Sequence, residues 1–267
     1  MKKILFVSDL DNTLLFSWKK CHPRDLCVEK KDGIEQGFMT EFTYNSLEII
    51  NKITTFVPVT SRSINQYRRI QWNDKQLPEY AIVANGGVLL KNGKVDVDWL
   101  KESKESVKPY ENEMKNLYDI FNSTGGYIIC RIVDDMYFYV HCYDESQAAD
   151  CITKYKKNSQ LEVFLQGTKV YFFPPVINKG IAIERLKEYI SNEKIIATGD
   201  SSIDLPMLQK ADYAIIPREL ENSEWNGSNM VNVCNEKNFS NYICEQILKI
   251  CKDTYKGNGD NWIFHAR

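Results

Sequence analysis

Asp9-Leu10-Asp11-Asn12-Thr13 places two carboxylates directly behind the apolar run Ile4-Leu5-Phe6-Val7. A run that is apolar throughout reads as a strand covered on both faces, and open α/β sheets bind their ligands at the carboxyl edge of such strands. Two carboxylates this close repel each other unless positive charge lies between them. A hard divalent cation such as Mg2+ supplies that charge and accepts carboxylate and phosphate oxygens alike. Spacing alone does not carry the reading: Asp96-Val97-Asp98 repeats it behind a hairpin turn rather than a strand, and reads as solvated surface.

Three further clusters carry polar chemistry at strand or helix ends. Val59-Thr60-Ser61-Arg62 closes another apolar strand with two hydroxyls and a guanidinium, all donors to phosphate oxygens. The same residues also suit a helix N-cap, and a helix N-terminus is itself an anion site. Lys179, between Asn178 and Gly180, opens a helix, an unfavourable place for a cation. A carboxylate or an anion is therefore expected beside it. Ile195-Ile196-Ala197-Thr198-Gly199-Asp200 puts one more acid just past a buried strand, and Asp204 follows about one helical turn later. The plain alternatives are a helix cap for Asp200 and a first-turn acid for Asp204.

The elements that must position these residues are legible from periodicity. Apolar strands are expected at 4–7, 56–59, 81–84 and 195–197, with crossover helices over 42–53 and 179–190. That alternation predicts an α/β fold: a Rossmann-like, doubly wound parallel sheet. Between Val88 and Pro174 the texture changes. A hairpin turn at Lys91-Asn92-Gly93-Lys94 is followed by a charged helix around 105–122, strands at 127–133 and 136–142, a helix at 145–156, and strands at 161–165 and 169–173. Such a pattern predicts an inserted α+β cap over 88–174, with the core built from 1–87 and 175–267.

Composition narrows the partners. The 267 residues carry 34 Lys and Arg against 36 Asp and Glu, a net charge of -2, which gives no long-range attraction for nucleic acid or an anionic membrane. No apolar run reaches the ~18 residues of a membrane span, and the opening apolar stretch is too short for a signal peptide. A cytoplasmic protein is expected. Its eight cysteines show no zinc-ligand spacing and read as reduced packing residues. Only three histidines exist, so carboxylates are the expected instruments of any chemistry. The tail from Gly257 to Trp262 is expected to be flexible, with Trp262 and Phe264 as candidate anchors.

Taken in order, Asp9-x-Asp11-x-Thr13, Thr60, Lys179 and Gly199-Asp200-x-x-x-Asp204 resemble the four motifs of the haloacid dehalogenase superfamily. The insert between the second and third motifs is similar to the C2-type caps of Cof-type sugar phosphatases and sucrose-phosphate phosphatases. Asp-Leu-Asp-Asn-Thr looks most like the sucrose-phosphatase branch. The stretch from Pro58 through Gln66-Tyr67-Arg68-Arg69-Ile70 to Asn85-Gly86-Gly87 also resembles hydrolases of tellurium-resistance-type gene clusters.

This resemblance implies a Mg2+-dependent phosphomonoesterase acting on a small phosphorylated metabolite, a sugar phosphate. It makes Asp9 the nucleophile that forms an aspartyl-phosphate, and Asp11 the general acid and base. Thr60, Ser61 and Lys179 would hold phosphate; Arg62 and Asn85 would contact substrate. Mg2+ would be held by Asp9, the Asp11 carbonyl and Asp200, with Asp204 supporting it from nearby or through water. One position departs from the Cof-type pattern: Ile203 stands where those relatives have Asn, and Ser201 or Ser202 is the candidate to compensate.

A phosphomutase would use the same two acids, and a degenerate phosphate-binding protein would keep the fold without turnover. A phosphorylatable receiver domain is disfavoured because the corresponding strand ends, Thr60 and Ala84, carry no acid. The segment 16–39 reads as a basic flap over the site or as a solvated loop. On the cap, Arg131, Tyr137, Tyr139 and His141 share one sheet face.

Overall fold

The computed structural model describes residues 4–191, 194–221, 229–236 and 238–256. The first strand, β1 (Ile4–Ser8), leads into a small antiparallel flap of β2 (Phe16–Ser17), β3 (Leu26–Lys31) and β4 (Ile34–Met39). Helix α1 (Glu41–Ile53) returns the chain to β5 (Thr55–Pro58), and a single turn, α2 (Ile64–Tyr67), precedes β6 (Tyr80–Val83). The hairpin β7 (Val88–Lys91) and β8 (Lys94–Val95) is followed by α3 (Val97–Val107) and α4 (Glu111–Thr124). Next come β9 (Ile129–Val133), β10 (Tyr137–His141), α5 (Glu145–Tyr155), β11 (Glu162–Gln166) and β12 (Lys169–Phe173). The chain then runs through α6 (Lys179–Tyr189), β13 (Lys194–Thr198), α7 (Leu205–Leu208), β14 (Tyr213–Pro217), β15 (Met230–Cys234) and α8 (Phe239–Lys256).

The central sheet is parallel, in the order β15-β14-β13-β1-β5. Every residue of β1 is buried, as a middle strand with both faces covered requires. Leu47 and Ile50 of α1 pack on one face with Ile243 and Ile247 of α8; Ile183 and Leu186 of α6 pack on the other. These are the two expected crossover helices. The expected strand at 81–84 is β6, which continues the sheet through a parallel bridge between Val59 and Ile82 and pairs antiparallel with β7. Among the described residues, no helix is long and apolar enough to cross a membrane.

A second, antiparallel sheet has the order β11-β12-β10-β9. Phe121 of α4 and Cys151 of α5 cover one face, against Phe138, Val140, Val170 and Phe172. The opposite face, with Tyr137, Tyr139, Tyr171 and Phe173, packs toward the core around Tyr67 and Met136. Helices on one face leave the other free to roof the end of the parallel sheet.

Three local expectations change. The single helix around 105–122 is two helices, broken at Lys108-Pro109-Tyr110, because a proline ring cannot sit inside a helix without removing a hydrogen bond. Asp98 is exposed as expected, but Asp96 is half-buried: its carboxylate accepts from the Trp99 amide at 2.9 Å and caps α3. Trp99 itself is fully buried among Leu5, Val7, Val57 and Val59, so α3 packs with the parallel sheet although it follows the β7–β8 hairpin. Its indole donates to the Gly86 carbonyl at 3.0 Å and stacks under Arg185. The tail beyond residue 256, with Trp262 and Phe264, lies outside the described residues.

Candidate active site

Four chain segments deliver charged or hydroxyl side chains to one end of the parallel sheet. Asp9 follows β1 directly, Thr60 to Arg62 follow β5, Lys179 opens α6, and Asp200 and Asp204 follow β13. The ends of neighbouring parallel strands lie side by side, so residues far apart in sequence converge there.

Lys179 is the hub. Its ammonium lies 2.5 Å from Asp9 Oδ1 and 2.5 Å from Asp204 Oδ1, and its side chain is only 2 % exposed. The carboxylates it was expected to require at a helix N-terminus are these two. Asp204 is saturated: its Oδ2 accepts from the amides of Asp200 and Ser201 and from the Ser201 hydroxyl, at 2.9–3.1 Å. Gly199 makes this turn possible, since a side chain there would collide with Asp204 Cβ at 2.4 Å. Ser201 thus supplies a polar contact beside Ile203, which is buried and lines the cleft.

Asp9, Asp200 and Asp204 bring one carboxylate oxygen each within 4.8 Å of one another, and the Thr13 hydroxyl donates to Asp200 at 3.2 Å. One ammonium among three acids leaves negative charge in excess. Burial drives the Asp9 carboxyl well above the ordinary range; Lys179 opposes the shift and Asp204 and Asp200 add to it. Asp200 is pushed up to about 7, by burial first and by Asp204 next. An all-oxygen donor set with unbalanced negative charge fits a hard divalent cation. Because both oxygens of Asp204 are engaged, Asp9 and Asp200 are the side chains available to hold one.

Asp11 faces the other way and is half exposed. Arg62 grips it with two parallel hydrogen bonds, Nε to Oδ2 at 2.8 Å and Nη2 to Oδ1 at 2.7 Å. Burial alone would raise the Asp11 carboxyl, yet the guanidinium holds it below the usual carboxylate range. Arg62 thus lines the cleft with its fork already engaged by Asp11. Thr60 is fully buried, accepts from the Arg62 amide at 3.2 Å, and shapes the loop from beneath. Ser61 lines the cleft directly.

Asn85 does not line the cleft. It is 1 % exposed in the left-handed conformation, φ 57°, and its side-chain amide donates to the Ile177 carbonyl at 3.2 Å. That bond ties the end of β6 to the chain just before Lys179.

The cleft above these residues has a volume of about 560 Å3 and draws its walls from the core, the flap and the cap. From the cap come Gln166, Thr168, Lys169 and Tyr171; from the flap, Phe16, Glu29 and Gln36. Of the four cap residues singled out by alternation, Tyr137 reaches the core, its hydroxyl donating to the Ser61 carbonyl. Tyr139 is buried beside Tyr171, His141 pairs with Thr168, and Arg131 is exposed. Position 171 shares the same face one strand over, which the alternation along β12 could have revealed. The flap is a folded hairpin that sends the acid Glu29 into the cleft, while Lys20 donates to Asn12 Oδ1 at 3.0 Å and with His22 lines the adjoining cavity beside Asp200.

Comparison with known proteins agrees with this architecture. The model of the haloacid dehalogenase-like hydrolases matches residues 100–219, a stretch that includes Lys179, Asp200 and Asp204. Among curated proteins, none matches the chain. The sucrose-phosphatase of Synechocystis sp. PCC6803, solved with sucrose and phosphate, superposes with a TM-score of 0.60 at 18% identity, over 93% of this chain and 98% of that one. The C-terminal domain of the Candida albicans (C. albicans) trehalose-6-phosphate phosphatase gives 0.58 at 13% identity, over 94% and 92%. A haloacid dehalogenase-like hydrolase from B. subtilis gives 0.56 at 15% identity, over 92% and 99%. At these identities the likeness speaks to the fold.

A parallel sheet with an acidic cluster at its carboxyl edge and an antiparallel cap above it defines a capped α/β fold. The fold is that of these solved structures, and residues 100–219 match the haloacid dehalogenase-like hydrolase family.

Proposed function

We propose that the protein is a phosphomonoesterase that hydrolyses a small phosphorylated metabolite, a sugar phosphate, through an aspartyl-phosphate. The observation that carries this reading is the ion pair between Lys179 and Asp9 at the floor of the cleft. It places a buried carboxylate and the cation that would hold phosphate oxygens at one point.

A carboxylate oxygen of Asp9 forms the new bond to phosphorus while the ester P–O bond breaks. The departing oxygen keeps the bonding electron pair and takes a proton from Asp11. Water then attacks the same phosphorus and loses a proton to Asp11, releasing phosphate and free Asp9. Arg62 keeps Asp11 ionised before substrate arrives, the form needed for the second half of the cycle. A phosphate dianion beside Asp11 raises its proton affinity by like-charge repulsion, which favours the first half. Lys179 and Ser61 hold the transferring oxygens, and Thr60 sets the loop that carries Ser61. Mg2+, held by Asp9, Asp200 and the Asp11 carbonyl and supported by Asp204, would offset the charge of the phosphoryl group. The antiparallel sheet β9–β12 with α4 and α5 acts as the cap that closes this site, and its side chains Lys169 and Tyr171 meet the leaving group.

Purified protein with Mg2+ should hydrolyse p-nitrophenyl phosphate, and Asp9→Asn or EDTA should abolish the rate. Beryllium fluoride with Mg2+ should raise the melting temperature of the wild type and leave Asp9→Asn unmoved. Turnover that survives Asp9→Asn would remove the nucleophile assignment.

A further inference from the structure

Glu29 is the one acid of the flap hairpin that the structure sends inward. Its side chain is 3 % exposed, at a place where an unpaired carboxylate would be costly. Two guanidiniums compensate it. Arg69 donates through Nε to Oε1 at 2.8 Å, with Nη2 also 2.8 Å away, and Arg62 Nη1 lies 2.9 Å from Oε2.

The backbone is built to aim it there. The β3–β4 register shifts on both sides of Glu29, an irregularity of the kind that redirects a side chain beside active sites. Opposite stands Gly37, where a Cβ would lie 2.9 Å from Glu29 Oε2 and 3.0 Å from its Cβ. Glu29 also bridges Ile70, and the Gln71 amide donates to the Val28 carbonyl at 2.7 Å, so β3 is fixed to the segment that carries Arg69.

Arg62 spends its remaining fork on Asp11, which makes a continuous chain Glu29–Arg62–Asp11. With Glu29 in place, Nη1 has a carboxylate 2.9 Å away as an ion-pair partner, though not in hydrogen-bonding geometry, and the Nε/Nη2 edge is left to face Asp11 squarely. Without it, two guanidiniums would sit together with one carboxylate between them, and the orientation of Arg62 would no longer be fixed.

We propose that Glu29 is a positioning residue for the acid–base group Asp11, acting through Arg62, so that the flap hairpin governs protonation of the leaving alcohol. This rests on the phosphatase reading given above.

The test compares wild type with Glu29→Gln on two substrates. An alkyl phosphate needs a proton on its departing oxygen, whereas p-nitrophenyl phosphate releases a stable phenolate that needs little help. The expected result is a kcat/KM, which reports only the steps through release of the alcohol, lowered about tenfold or more on the alkyl phosphate, with less than about a threefold change on p-nitrophenyl phosphate. Loss of general structural support would lower both rates alike, so an equal loss, or no loss, overturns the role of Glu29. Melting curves establish that the variant is folded. Should Glu29→Gln melt below the assay temperature, Glu29→Asp, one methylene too short to hold both arginines, is read by the same criterion. A wild type inert on both substrates would overturn the phosphatase reading and this one with it.

Discussion

The Lys179 ammonium and the Asp9 carboxylate meet at 2.5 Å at the end of β1, and both are almost sealed from solvent. The pair needs each other: the lysine offsets acids that burial penalises, and the acids hold the lysine charged at a helix start that repels it.

Lys179→Met should therefore cost stability as well as activity. Asp9 and Asp204 would lose their cation inside the protein, a change that typically costs about 3–5 kcal/mol. Urea unfolding at neutral pH measures it, and a variant as stable as wild type would show that the acids do not depend on the lysine.

The acidic cluster should make metal-free protein sensitive to pH. With its carboxyl raised to about 7, Asp200 keeps a proton in the folded state that the unfolded chain releases near its ordinary value of 3.8. Raising the pH between those two values therefore disfavours the folded state, and the effect levels off above about 7. Melting temperatures in EDTA should fall across that window. Mg2+ binding, followed by calorimetry, should tighten as the pH rises through about 7, because the ligand must first lose its proton.

Gly199→Ala should damage the site without touching a charged group. The added methyl would meet Asp204 at 2.4 Å and push it off Lys179, a strain costing about 1–3 kcal/mol. Thermal melts and p-nitrophenyl phosphate turnover should fall together. Wild-type values for both would mean that the turn can relax.

Asn85→Ala separates an anchor from a substrate contact. As an anchor, Asn85 contributes a buried hydrogen bond to Ile177 and tolerates the left-handed backbone, so its loss should lower stability by about 1–3 kcal/mol. KM should stay near the wild-type value. A raised KM at unchanged stability would return Asn85 to the substrate.

Much of this site is legible in the chain because its acids and lysine sit at the ends of elements with strong periodicity. Asp9 and Asp200 each follow a strand with an apolar centre, and Lys179 opens a helix that buries Ala182, Ile183 and Leu186. What escaped the sequence is what depends on partners distant in the chain. Asp32-Gly33, both at positive φ, is a strong hairpin signal between β3 and β4, and it marks the flap as folded. Nothing in the local pattern marks Glu29 as the buried acid, because its two arginines come from another segment. Arg62 likewise reads as a phosphate donor until Asp11 is seen across from it.

Asp134, in the turn between β9 and β10, accepts from the amide of Ile64 at 2.8 Å, the first residue of α2 in the core. Any swing of the cap that admits substrate or releases product must expose that amide to water. Its hydrogen-exchange rate is thus a built-in clock for the frequency of opening, readable without substrate and without a label.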